Sequence, residues 1–182
     1  MLEVRIGAGT EDAFARLLGV TNDLHIERVW PDLATEVVHP FMLAHSKKQF
    51  ATEGRHGGRP WADYSQEPLY AAYKLMKVGH LDLLRWQKGG TFEQLYPSLT
   101  DPNHDLHIFR VGRTSVSIGS AVDHAYSLTT DTEGPFGEPS PGRDVLAMRP
   151  THGKRLTTNM QRRLKQRLAR RGLRIGDVRS NL

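Results

Sequence analysis

In the middle of this chain Leu106 and Ile108, and then Val116 and Ile118, stand two positions apart on either side of Gly112-Arg113, whereas in several longer stretches the apolar residues recur at three and four. A period of two puts alternate side chains on one face of a strand, and a period near 3.6 draws a stripe along a helix. The chain therefore has to join a short antiparallel hairpin, in which Val111 also takes part, to several helices. The pattern predicts an α+β protein: a small antiparallel sheet packed with helices, long loops, and a basic C-terminal helix or arm.

The remaining elements follow from the same periods and from their punctuation. Leu2 to Ile6 alternates as a strand would, and Thr10 followed by Glu11 and Asp12 opens a helix to about Leu18. Leu33, Val37, Val38, Phe41 and Met42 mark a long core helix from Asp32 to Phe50, kinked at Pro40. Leu69, Tyr73 and Met76 stand at helical spacing in a further helix from Pro68 to Lys77 that stops at Gly79, after which Leu81 to Trp86 re-enters the core. A short helix runs from Thr91 to Leu99 and ends at Thr100-Asp101-Pro102-Asn103, and residues 124 to 130 suit another. Two stretches rich in glycine and proline, Glu53 to Pro60 and Glu133 to Gly142, read as loops, the first mobile up to Trp61 and the second long, exposed and without regular structure.

A chain of 182 residues is the size of one domain, and a domain of that length buries about 70% of the surface its unfolded form exposes. No window approaches the roughly 18 apolar residues of a membrane span, and the amino terminus lacks a basic stretch followed by an apolar one, so a soluble, unexported protein is expected. The absence of cysteine excludes disulfides, thiolate zinc sites and cysteine nucleophiles.

Charge divides the chain unevenly. Residues 151–182 carry ten Lys/Arg against the single acid Asp177, a balance of +9, so with a total of +5 the first 150 residues stand at −4. The sequence thus separates into a body, residues 1–150, and a basic helix and tail, residues 151–182, whose apolar stripe is only Leu156, Met160, Leu164 and Leu168. A stripe that narrow docks weakly, which predicts that the body folds without it. Arg162, Arg163, Lys165, Arg167, Arg170, Arg171 and Arg174 wrap much of that helix, as suits contact with DNA phosphates or with an acidic neighbouring subunit. The plainer reading is a solvated helix face. No zinc-finger, RRM or KH pattern accompanies the basic set, so any contact with DNA is expected to be non-specific.

Candidate chemistry is thin. Asp101, His104, Asp105 and His107 supply residue types that bind zinc or iron, but without the spacing of a helical ligand pair, and they read more simply as turn and strand residues. Asp123-His124 with Ser117, Ser120 or Ser127 lacks the turn that presents a nucleophilic serine. Gly7-Ala8-Gly9-Thr10 and Gly54 to Gly58 lack the lysine and the length of a phosphate-binding loop. The expectation is a protein with no catalytic residue, metal or cofactor, anchored in its core by Phe50, Trp61, Tyr64 and Trp86.

One further pattern is carried by longer runs. Phe50-Ala-Thr-Glu-Gly54 leads to Gly58-Arg-Pro60-Trp61-Ala62-Asp63-Tyr64-Ser65, then come Leu83-Leu84-Arg85-Trp86, Val116-Ser-Ile118-Gly119-Ser120 and Ala125-Tyr126, and the run closes with Pro141-Gly142-Arg143. Across residues 41 to 150 this resembles the phage virion-morphogenesis or tail-completion family. The chain departs from the family where Leu128 to Asp131 stand in place of a histidine and a following glycine. The resemblance implies a structural virion protein at the neck of a tailed bacteriophage, a subunit of a ring, sixfold by the same implication, that joins head to tail. Its partners would be further copies of itself, neighbouring neck, portal-side and tail-tube proteins and, non-specifically, the genomic DNA in the channel, with no membrane involved. A tail terminator capping the tube, a basic DNA-binding accessory protein and a metal-dependent nuclease using His104 and His107 are the competing expectations.

Overall fold

The computed structural model of the protein describes residues 2–6, 26–84, 94–123, 125 and 130–170, and of these residues 2–6, 26–28 and 168–170 in backbone only. The expected helix near Leu18, Trp86, and most of residues 124 to 130 lie outside the described residues.

The described chain is a mixture of helices and two small antiparallel sheets, as the two periods require. Strands β1 (Leu2–Ile6), β2 (His107–Val111) and β3 (Val116–Ser120) form one sheet with β3 in the middle. Val116 of β3 faces both Ile6 and Val111, and Ser120 faces both Leu2 and His107. The central strand is the one covered on its inner face, so Val116, Ile118 and Ser120 are buried while Ser117 is only partly so.

The long core helix begins earlier than its apolar spacing indicates and is divided into three: α1 (Ile26–Leu33), a π-helical segment (Ala34–Val38) and α2 (His39–Ala51). Pro40 is the reason. It has no N–H to give to the carbonyl of Glu36, and its ring crowds that carbonyl in an α-helix. One residue earlier the ladder widens instead, and the N–H of His39 reaches back to the carbonyl of Ala34. Leu33, Ala34, Val38 and Met42 remain buried through the change. Trp30, ahead of the expected helix start, is an anchor that the apolar spacing did not reveal: it is buried, and its Nε1 donates to the carbonyl of Ser115 at 2.9 Å, tying α1 to the β2–β3 turn.

The segment expected to be mobile after α2 is firmly built. Gly54 caps the helix with φ +85°, its N–H bonds the carbonyl of Gln49 at 3.0 Å, and the N–H of Trp61 bonds the carbonyl of Glu53 at 2.7 Å. A Cβ on Gly54 would lie 2.5 Å from both Arg59 O and Trp61 Cδ1, so no other residue fits under the tryptophan.

Helix α3 (Pro68–Val78) starts at its proline and ends at Gly79, as the sequence indicates. Its apolar spacing does not mark its buried side. Leu69, Leu75 and Met76 are 59%, 51% and 74% exposed, Tyr73 is exposed as well, and Lys74 is fully buried. Leu83 re-enters the core, but Leu81 is exposed. Of the expected short helix the described residues show α4 (Leu95–Thr100), with Leu95 and Leu99 buried and Ser98 Oγ 2.7 Å from Ser120 Oγ on β3.

Residues 133 to 142, expected to lack regular structure, contain a hairpin. Strand β4 (Thr132–Glu133) pairs with β5 (Pro139–Ser140), and the turn between them closes through Gly134 N–H to Glu138 O at 2.7 Å with Gly137 at φ +76°. The glycines and prolines that argue against a long strand are those a tight turn and a short edge need.

Helix α5 (Pro150–Arg170) begins where the charge changes sign. Leu156, Met160 and Leu164 are buried and belong to the same apolar core as Trp30, Leu33 and Val116. The narrow stripe is thus enough to seat residues 150–170 on the body, because α1 and the π segment supply the other side of the contact.

Candidate functional site

Of the seven basic residues expected to contact DNA or a neighbour, four have described side chains, and two of these four pair with acids of the chain. Arg163 Nε donates to Glu36 Oε2 at 2.7 Å, and Arg167 donates to Glu36 Oε1 at 2.7 Å and to Asp32. These hydrogen bonds, that of Arg163 foremost, hold the Glu36 carboxyl below the usual carboxylate range. Arg162 and Lys165 are exposed, and Arg162 Nη2 donates to Asn159 Oδ1 one turn back, at 2.7 Å. Arg162, Arg163 and Gln166 line an open groove with Val37, Pro40 and Phe41. Arg170 is described in backbone only, and Arg171 and Arg174 lie outside the described residues.

Three of the four expected anchors are described. Phe50 and Trp61 are buried and meet edge to face at 5.3 Å, and Trp61 Nε1 donates to the carbonyl of Asp144 at 3.1 Å. Tyr64 is only partly buried and serves a different purpose. Its ring has two cations close by, the Arg143 guanidinium at 5.1 Å and the Lys74 ammonium at 5.0 Å from its centre. Lys74 Nζ also donates to Tyr64 Oη at 2.8 Å and to the carbonyl of Asp82. Arg143 is buried against Glu67 at 2.5 Å and donates further to the carbonyl of Ala62, while Ser140 Oγ donates to the other Glu67 oxygen at 2.8 Å. Burial, more than any neighbouring charge, raises the Tyr64 phenol above its ordinary range. This network binds α3, the β4–β5 hairpin and residues 62–67 into one piece.

The face that α3 turns outward follows from that network. Seating Lys74 inward puts Leu69, Tyr73 and Met76, at positions i, i+4 and i+7, on an exposed side. Phe136 at the tip of the β4–β5 turn meets Tyr73 at 5.6 Å, which extends the apolar face. Glu138 fixes the hairpin to the helix by accepting from the N–H groups of Leu69 and Tyr70 at 2.8 and 3.1 Å.

The histidine and aspartate set at residues 101 to 107 is not gathered for a metal. Asp101 Oδ1 accepts from Asn103 N and His104 Nδ1 from Leu106 N, both as turn-makers. His107 lies with one ring nitrogen 2.6 Å from the carbonyl of Ser98 and the other 2.8 Å from His39 Nε2, and His39 stacks on Phe109. Burial and then the charge of His107 keep His39 below the usual imidazole value. Ser120 is taken up by Ser98 and by the N–H of Val122, while His124 and Ser127 lie outside the described residues, so nothing described supports a nucleophilic triad.

The histidines that do converge were not singled out by the sequence. Among the described residues, His45 of α2, His56 of the turn after it and His152 of the first turn of α5 each offer a ligand nitrogen within 4.8 Å of the others. His45 is 97% buried, as its 3% exposure shows, and its Nε2 bonds the carbonyl of Ala147 at 2.8 Å. Its Nδ1 is buried with no hydrogen-bond partner, and so is Nδ1 of His152. Leaving such an atom unpaired costs about 1–3 kcal/mol. All three imidazoles are held below their ordinary value, first by burial; nearby positive charge adds to it, from Lys48 and Arg149 on His56 and from Arg149, Arg155 and Lys48 on His152.

Compared with models of known families, with curated proteins and with solved structures, the chain matches none.

Proposed function

We propose that the protein is a structural, non-enzymatic assembly subunit of a tailed bacteriophage, acting as a tail-completion ring protein at the neck, where head joins tail. The observation that carries an assembly role is the exposed apolar face of α3, Leu69, Tyr73 and Met76 with Phe136 beside it. Contiguous apolar surface of this kind marks a protein contact. It is held on a rigid support, since the Glu67–Arg143 pair and the Glu138 cap fix both helix and hairpin. A face that exists before its partner arrives lowers the ordering cost of docking. The assignment to the neck rests on the residue runs between Phe50 and Arg143 that resemble the tail-completion family.

No helix among the described residues is long and apolar enough to cross a membrane. A virion location, and neighbours among neck, portal-side and tail-tube proteins, are part of the proposal. The competing reading, a non-specific DNA-binding accessory protein, is favoured by the exposed Arg162 and Lys165, whereas the internal pairing of Arg163 and Arg167 leaves fewer cations for phosphate. Cryo-electron microscopy of particles carrying the protein tests the proposal. A symmetric ring between portal and tail tube, with α3 in the subunit contact, is the expected result. Absence from the particle, together with duplex binding that weakens steeply with salt, would replace it with the DNA-binding reading.

A further inference from the structure

We infer that His45, His56 and His152 form a binding site for a divalent transition-metal ion of zinc-like character, which staples the start of α5 to α2. Three imidazoles are the donor set that such ions favour, and three protein ligands leave a fourth position for a small molecule. The ring orientation of His45 is the strongest support. The carbonyl of Ala147 can only accept, so the Nε2 that meets it at 2.8 Å carries the proton. The neutral ring then presents a lone pair at Nδ1, the buried atom that has no partner. A backbone carbonyl that fixes one ring nitrogen while the other faces the metal is the usual outer support of a metal-bound histidine.

The second ring nitrogen without a partner, Nδ1 of His152, belongs to the same cluster. His56 and His152 lie nearly parallel with centres 4.3 Å apart, and the His45 ring is 4.8 and 5.0 Å from theirs. Nitrogens around a tetrahedral zinc ion, with bonds of about 2.0–2.1 Å, stand about 3.3 Å from one another. The separations here, up to 4.8 Å, therefore have to shorten modestly. His56 and His152 are only partly buried, and imidazole rotation about χ2 is broad, so these two rings can turn toward the fixed His45.

Lys48, Arg149 and Arg155 stand close enough to act on these rings. Their charge opposes a bare dication and favours an anion, such as chloride, hydroxide or a carboxylate, at the fourth position. The site would therefore hold a metal and an anion together. It is independent of the neck assignment and stands or falls separately from it.

The test uses the untagged full chain, stripped with EDTA and exchanged into metal-free buffer containing chloride, then titrated with Zn2+ or Co2+. One equivalent per chain should bind and survive desalting, Zn2+ should raise the melting temperature, and Co2+ should give the intense visible bands of a tetrahedral site. His56→Gln and His152→Gln, at partly exposed positions, should keep the fold by circular dichroism while weakening binding at least tenfold. Either no saturable binding by the folded parent protein, or stoichiometric binding untouched by both substitutions, would overturn the assignment. A control variant, His104→Gln, should bind as the parent does; loss of binding there would move the site to the Asp101–His107 turn.

Discussion

Helices α3 and α5 answer the same problem in opposite ways. Helix α5 buries Leu156, Met160 and Leu164 and keeps Arg155 and Arg162 at the surface, whereas α3 buries Lys74 and leaves Leu69, Leu75 and Met76 in solvent. Apolar spacing alone cannot tell them apart, since both carry apolar residues at helical intervals. What differs is the wall each packs on. Helix α5 meets the apolar side of α1 and the π segment, while α3 meets an aromatic ring, a carbonyl and a hydroxyl that together receive an ammonium group. A helix thus buries whatever its neighbours can satisfy, and the apolar residues left over on α3 are available to another molecule.

The comparison breaks most sharply if α5 is removed. Ending the chain at Pro150 strips three buried residues from the core, and the remainder is expected to lose its cooperative thermal transition, measured by calorimetry. A folded remainder would show that α5 is the detachable arm its narrow stripe suggests. Next in size is the support beneath α3. Arg143→Ala leaves Glu67 buried without its cation and should destabilise by about 3–5 kcal/mol in denaturant unfolding. A loss near zero would mean that the pair is hydrated and does not set the helix.

A smaller effect comes with acid. His39, His45, His56 and His152 all have folded values below the ordinary 6.5. Between 6.5 and those lower values the unfolded chain binds more protons, so stability is complete above about pH 6.5 and is lost as the pH falls below it. Melting temperatures at pH 7.5, 6.5 and 5.5 should therefore decline over the lower interval, and a flat profile would show these rings to be solvated. The smallest effect on folding is expected on the outer face of α3. Leu69→Ser and Met76→Ser should change stability by no more than about 0.5 kcal/mol, yet abolish incorporation into particles. Normal incorporation would remove the apolar face from the proposed contact.

The parts of the fold legible in the sequence are those fixed by neighbours in the chain. The hairpin around Gly112, the start of α3 at Pro68 and its stop at Gly79 depend on turn and cap chemistry within a few residues. The parts not legible there depend on partners far away in the chain. Lys74 is buried because Tyr64 and the Asp82 carbonyl surround it, and Arg143 because Glu67 waits on a different segment. The β4–β5 hairpin looks like loop because two-residue strands leave no period to detect. The histidine cluster shows no motif either, since one member comes from mid-helix, one from a turn and one from α5. Of the basic surface, residue types were legible but not their pairing: nothing local announces that Arg163 and Arg167 close on Glu36.

The widened turn ahead of Pro40 also sets how the two halves of the long helix are rotated against each other. An α-helix advances about 100° per residue, so one extra residue in the turn shifts every side chain upstream of it by about that angle. This phase offset sets how Trp30 and Asp32 on one side are turned relative to His45 and Gln49 on the other. Deleting a single residue from Ala34–Val38 would cancel the offset, carrying Trp30 away from the Ser115 carbonyl and Asp32 away from Arg167 together, while leaving α2 and its histidine in place. One inserted residue thus works as a gear tooth, coupling the sheet and the basic helix to the same short turn.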